Sequence, residues 1–180
     1  MTRSFSALAI FVAIASAAWA EVESGPKEGA KIAELKAHGV VGTGEGKEID
    51  FAAERKDDVT VYCFVNAAKF DRPMIQFFKK LDAALPGVEK SAAIAVWVGG
   101  EKDKLTEYLP KVQKSVKYEQ ISLAVFDGDV SKLKDWNINE SAHLTVVVAA
   151  KGKVIKTFAF ETVNGTDAKG VEEVLKKIGK

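Results

Sequence analysis

A single cysteine, Cys63, stands in a chain of 180 residues, and one thiol closes no disulfide within the chain. Stability therefore has to come from packing. Beside that cysteine there are only two histidines, His38 and His143, so a structural zinc site or iron–sulfur cluster has almost no ligands to draw on. No metal and no cofactor are expected. Arginine is scarce as well: beyond residue 20 only Arg55 and Arg72 remain. Bidentate contacts to phosphate and base edges favour arginine, so the many lysines read as a solvated surface and nucleic acid is not expected as a partner.

Long hydrophobic runs are also missing. The longest, over 5–18, is shorter than the ~18 uninterrupted apolar residues a membrane span needs and is broken by Ser6 and Ser16. Preceded by Arg3 and followed by Ala18-Trp19-Ala20, it reads as a cleaved export signal over 1–20, the alternative being an uncleaved N-terminal anchor. The mature chain, 21–180, then has no membrane span and lies in the periplasm or outside the cell. Losing 1–20 removes Arg3 and no acid, which leaves 25 basic and 25 acidic residues and no net formal charge. That length suits one domain with its own core.

What is present is a regular alternation of strand and helix patterns. Ile32, Leu35, Val40 and Val41 run into Gly42-Thr43-Gly44-Glu45-Gly46, a strand pair closed by a glycine-rich turn. A phosphate loop would need a GK[ST] sequence and a following helix, and neither is there. The run 59–65, rich in β-branched and aromatic residues, fits a strand buried on both faces near the middle of a sheet. Cys63 lies inside it.

A helix then starts near Asp71-Arg72-Pro73, with Asp71 or Arg72 at its entry and proline in the first turn, where its missing N–H costs nothing. Met74, Phe77, Phe78, Leu81 and Leu85 form its apolar stripe. Next come a strand over 92–98, a helix over 102–116 with Leu105, Tyr108, Leu109, Val112 and Val116 on one face, and a strand over 121–126. A short helix over 130–136 leads to two strands, 144–150 and 154–160, joined by the hairpin signal Lys151-Gly152. The last helix, 168–178, carries Val171, Val174, Leu175 and Ile178 at helical spacing behind Asp167 as cap. Crossovers give parallel neighbours and a hairpin gives antiparallel ones, so the order implies an α/β fold with a mixed sheet.

The segment Phe64-Val65-Asn66-Ala67-Ala68-Lys69-Phe70-Asp71-Arg72 is similar to the F-x-A-x-W-C-x-x-C stretch of the thioredoxin-like superfamily, with Lys69 and Arg72 in the two cysteine positions. Phe126-Asp127-Gly128-Asp129 through Trp136-Asn137-Ile138 resembles that family's D-x-x-G…Y-G-V stretch. Ala142-His143-Leu144-Thr145 looks like the strand that begins with cis-proline and threonine, here with Leu144 for the proline, before an x-G-x-V hairpin at Lys151-Gly152-Lys153-Val154. The resemblance covers nearly all of 21–180 and is nearest the redoxin or peroxiredoxin-type branch. It implies a three-layer α/β/α sandwich with a central mixed sheet and an N-terminal β-hairpin. It also implies that the dithiol chemistry has gone, because the thiol made reactive by a helix N-terminus and the cis-proline beside it are both replaced.

Cys63 is the one thiol a redox enzyme could use, as a single-cysteine oxidoreductase or peroxidase. Alternation puts Val59, Val61 and Val65 on its own side of the strand, which points instead to a buried, neutral core residue. By the resemblance His143 faces the loop holding Lys69, Asp71 and Arg72. Asn66, Lys69, Asp71, Arg72 and His143 are accordingly the candidate binding residues, for an acidic segment of an unknown protein or a small anion; the plainer alternative is surface charge around a helix end. Ser141 and Asp127 or Asp129 near His143 suggest a hydrolytic triad only weakly, as no G-x-S-x-G elbow accompanies them. The aromatics Phe77, Phe78, Trp97, Phe126, Trp136, Phe158 and Phe160 are assigned to the core, with Trp136 partly exposed at a helix end.

Overall fold

A computed structural model describes residues 22–180; the export signal expected over 1–20 and the start at Glu21 lie outside the described residues. Strands β1 (Lys36–Val41) and β2 (Glu48–Asp50) form the N-terminal hairpin. Its glycine-rich turn folds back onto β1: Gly46 N donates to Gly39 O at 2.9 Å, and Gly42, Gly44 and Gly46 all adopt positive φ. Only glycine takes that conformation without strain. A short helix α1 (Phe51–Glu54) follows, capped by Asp50, whose carboxylate accepts from Ala52 N. Then come β3 (Thr60–Asn66), α2 (Arg72–Ala84), β4 (Ala92–Val98), α3 (Lys102–Val116) and β5 (Ile121–Val125). The chain ends with β6 (Leu144–Ala150), β7 (Lys153–Phe160) and α4 (Ala168–Ile178).

The seven strands make one sheet in the order β2-β1-β5-β4-β3-β6-β7. β3, β4 and β5 are parallel; β1 joins β5, β6 joins β3 and β7 joins β6 antiparallel. The path β3→β4→β5 steps twice in the same direction, so two right-handed crossovers put α2 and α3 on one face. Val61, Cys63 and Val65 face these helices and α4, with Met74, Phe77, Phe78, Leu81, Leu109, Val171 and Leu175 packed on them. Tyr62 and Phe64 point the other way, into a second core with Phe51, Val130, Leu133 and Trp136. Burying each of the larger side chains contributes roughly 1.5–3 kcal/mol, and the two cores make the sheet apolar on both sides. The result is the α/β/α sandwich with a mixed sheet, its second outer layer thin: α1, short 3₁₀ turns and the 22–35 segment.

Four local expectations are corrected. The stretch 130–136 is two 3₁₀ turns, Val130–Lys132 and Lys134–Trp136, each too short to close α-helical bonds. Trp136 is buried, 2 % exposed, because its Nε1 donates to Glu34 O at 3.0 Å and the chain before β1 covers it. Tyr108 is 45 % exposed: α3 buries only Leu109 and Val112 fully, and Tyr108 lies at the margin of that stripe against Phe70. Asp167 stands before α4 but does not cap it, since its carboxylate accepts Asn164 N at 2.6 Å in the preceding turn. Helix α1 has no counterpart in the hydrophobic pattern, being four residues long.

Candidate functional site

β3 delivers the chain to the first turn of α2 through Asn66. Its backbone N–H donates to His143 O at 3.0 Å, which ties the end of β3 to the residue before β6. Its side-chain amide is used at both ends: Oδ1 accepts Ala68 N at 3.1 Å and Nδ2 donates to Glu140 O at 3.0 Å. A 3₁₀ turn, Ala67–Lys69, and extended Phe70 follow, with Phe70 edge-on to Trp97 at 5.3 Å. Asp71 is the N-cap of α2, its carboxylate accepting Met74 N at 3.0 Å. Such a cap stabilises a helix by about 1 kcal/mol, and its charge suits the positive end of the helix dipole.

This geometry limits the backbone's part in anion binding. Pro73 has no N–H, the carboxylate of Asp71 takes that of Met74, and Ile75 N already donates to Asp71 O. Attraction for an anion at this end rests on the exposed side chains of Lys69 and Arg72, neither of which makes an ion pair among the described residues. His143 is half-buried, with its N–H donating to Phe160 O at 2.8 Å. Among the five candidates the structure joins Asn66 to His143 by backbone and places Lys69, Asp71 and Arg72 in sequence around the helix start. Of the five, Asn66 alone lines the nearby cavity of about 280 Å³, which opens on the Phe64 side of the sheet among Asp129, Asn139 and Glu140.

Cys63 is fully buried mid-strand, flanked by Ala95 of β4 and Val146 of β6. Burial pushes its thiol well above the ordinary range, so the nucleophilic thiolate is strongly disfavoured. Leu144 opens β6 opposite Val65, and no cis peptide bond occurs among the described residues. A larger cavity, about 440 Å³, lies at the other end of the sheet beside Tyr62 and was not anticipated. The available signal was Lys31, Lys56, Lys151 and Lys153, which read from sequence only as solvated charge.

A mixed sheet with parallel β3-α2-β4, the antiparallel β6–β7 hairpin beside β3 and α4 returning over α2 defines the thioredoxin-like fold. The sequence matches no family model and no curated protein. Solved structures share its architecture. A DsbF homologue from Corynebacterium diphtheriae aligns with TM-score 0.64 at 14% identity, over 90% of this chain and 95% of that one. A peroxiredoxin-like protein from Aquifex aeolicus gives TM-score 0.62 at 17% identity, covering 88% and 91%. A secreted thiol-disulfide isomerase from Corynebacterium glutamicum gives 0.60 at 12%, covering 82% and 84%. At these identities the likeness establishes the fold.

Proposed function

We propose that this chain is an exported thioredoxin-like domain that has lost dithiol redox catalysis and serves as a binding or scaffolding module in the periplasm or outside the cell. Its ligand is an acidic segment of a protein or a small anion, taken at the start of α2 within the set Asn66, Lys69, Asp71, Arg72 and His143: Lys69 and Arg72 supply the attraction, Asn66 and Asp71 hold the turn and the helix start, and His143 flanks them. Thiol placement carries the reading. The sole cysteine is 0% exposed inside β3, while the residue at the cap of α2 is an aspartate committed to a backbone N–H. Use of Cys63 as a peroxidase or oxidoreductase nucleophile needs an accessible thiolate, and burial opposes both requirements.

The test titrates the mature protein with a glutamate-rich peptide and with inorganic phosphate, beside an Arg72→Ala/His143→Ala variant. Binding that the double variant loses supports the site; identical affinity in both proteins refutes it. In parallel, a disulfide-reduction assay and a peroxide-consumption assay should give no turnover. Turnover abolished by Cys63→Ala would replace this reading with the single-cysteine enzyme. Mass measurement of the exported protein is expected to place its first residue at Glu21.

A further inference from the structure

The 440 Å³ cavity opens between the 31–34 segment, α1 and the β6–β7 turn, at the end of the sheet opposite the start of α2. Its size falls in the ordinary range for small-molecule sites, about 300–1,000 Å³. The floor is largely apolar, formed by Ile32, Ala52, Tyr62 and Ala149. Tyr62 is held in place edge-on to Trp136, with ring centroids 5.1 Å apart. Backbone hydrogen bonds fix the walls: Ile32 N donates to Gly152 O at 3.0 Å, Gly29 N to Val154 O at 2.8 Å and Val154 N to Ala30 O at 2.9 Å.

The charges around this floor are unevenly committed. Each carboxylate has a partner already: Asp50 accepts from Leu35 N and Ala52 N, Asp58 pairs with Arg55 at 3.3 Å, and Glu34 pairs with Lys36 at 2.7 Å. Arg55 is engaged further, through Val59 O and the hydroxyl of Thr60. Lys31, Lys56, Lys151 and Lys153 line the same cavity, yet none makes an ion pair or side-chain hydrogen bond among the described residues. Counting Arg55, the lining sets five cations against the carboxylates of Glu34, Asp50 and Asp58, a formal excess of two positive charges, and the four exposed lysines from three segments are the cations left for an incoming anion. An apolar floor with a cationic rim suits a ligand that is itself amphipathic.

We infer that this cavity binds a small amphipathic organic anion, with an aromatic or short aliphatic body on the Tyr62 floor and a carboxylate, sulfonate or phosphate among the four lysines. The site is separate from the start of α2 and does not depend on the reading given for it. Burial pushes the phenol of Tyr62 up to about 12, so the floor itself stays uncharged at neutral pH.

Fluorescence titration with anilinonaphthalene sulfonate tests it, with neutral phenylnaphthylamine as the uncharged counterpart. The mature protein is expected to bind the sulfonate at one site, more weakly as salt rises toward about 0.5 M, and the neutral dye about tenfold less tightly. Lys56→Glu/Lys151→Glu/Lys153→Glu should weaken sulfonate binding about tenfold or more, as three rim charges reverse. Ala53→Phe, at an exposed lining position of α1, should weaken it comparably with no change of charge. Lys111→Glu/Lys114→Glu/Lys176→Glu, equal in charge but outside the cavity, should leave it within about twofold. No binding by the wild type, equal loss in both triple variants, or full binding by Ala53→Phe overturns the proposal. Urea unfolding of every variant establishes that it is folded; if the rim variant is not, Ala53→Phe and the salt dependence decide the outcome.

Discussion

Cys63 in the native protein is expected to react with a chromogenic aromatic disulfide at least about a thousandfold more slowly than in the unfolded chain. Its strand is paired on both sides, with Ala95 and Val146 opposite the cysteine itself, and its side chain faces the core beneath α2. No fraying of a terminus or loop uncovers it. Reagent reaches the sulfur only when α2 leaves the sheet or the sheet separates, events that in core strands cost nearly the whole unfolding free energy. For a domain this size that energy is about 5–15 kcal/mol, and even the lower figure, at about 1.4 kcal/mol per factor of ten, suppresses the open state more than a thousandfold. The assay compares reaction rates in buffer, in sub-denaturing urea and in full denaturant. The native rate should climb with urea at a slope close to that of global unfolding. A native rate within about tenfold of the unfolded rate and insensitive to urea would refute the reasoning and restore Cys63 as a candidate nucleophile.

Alkaline pH should destabilise the fold. Burial raises the thiol of Cys63 above its ordinary 9.0 and the phenols of Tyr62 and Tyr118 above 10.0. The unfolded chain therefore releases these protons first, so stability is complete below about pH 9 and falls as pH rises, with Cys63 contributing a slope of up to about 1.4 kcal/mol per pH unit. Urea midpoints between about pH 7 and 10.5 measure the slope, and Cys63→Ala should flatten its onset; a midpoint constant across the range contradicts the assignment. Asp71→Ala should cost about 1 kcal/mol in urea unfolding and Asp71→Asn much less, because asparagine also caps. Equal losses would mean the hydrogen bond to Met74 N is not what the carboxylate supplies. Gly39→Ala should cost about 2–3 kcal/mol or more, since its new methyl would meet the carbonyls of Gly44 and Thr43, the latter at 2.8 Å, and backbone cannot yield as a side chain does. An unchanged melting temperature would show that the hairpin is looser than its hydrogen bonds indicate.

Much of the fold was legible in the sequence. The strand at 92–98, the helices at 102–116 and 168–178 and the hairpin around Lys151-Gly152 all stand where periodicity and turn residues put them. The inward side of Cys63 followed from alternation alone, and the start of α2 was already placed at Asp71 or Arg72, of which the structure makes Asp71 the cap. These features depend on neighbours within about one helical turn or two strand positions, so a short window of sequence contains their causes.

Tertiary structure decided the rest. Trp136 is buried because of Glu34, 102 residues away, and Ser24 shares a buried 2.6 Å hydrogen bond with Thr145 across 121 residues. That α2, α3 and α4 cover one face, and that four lysines from three segments meet around the Tyr62 floor, depends on sheet order and crossover direction. Local pattern states which side chains must leave water. Which distant segment covers them, and which backbone donors are used up before a ligand arrives, is settled only when the whole chain packs.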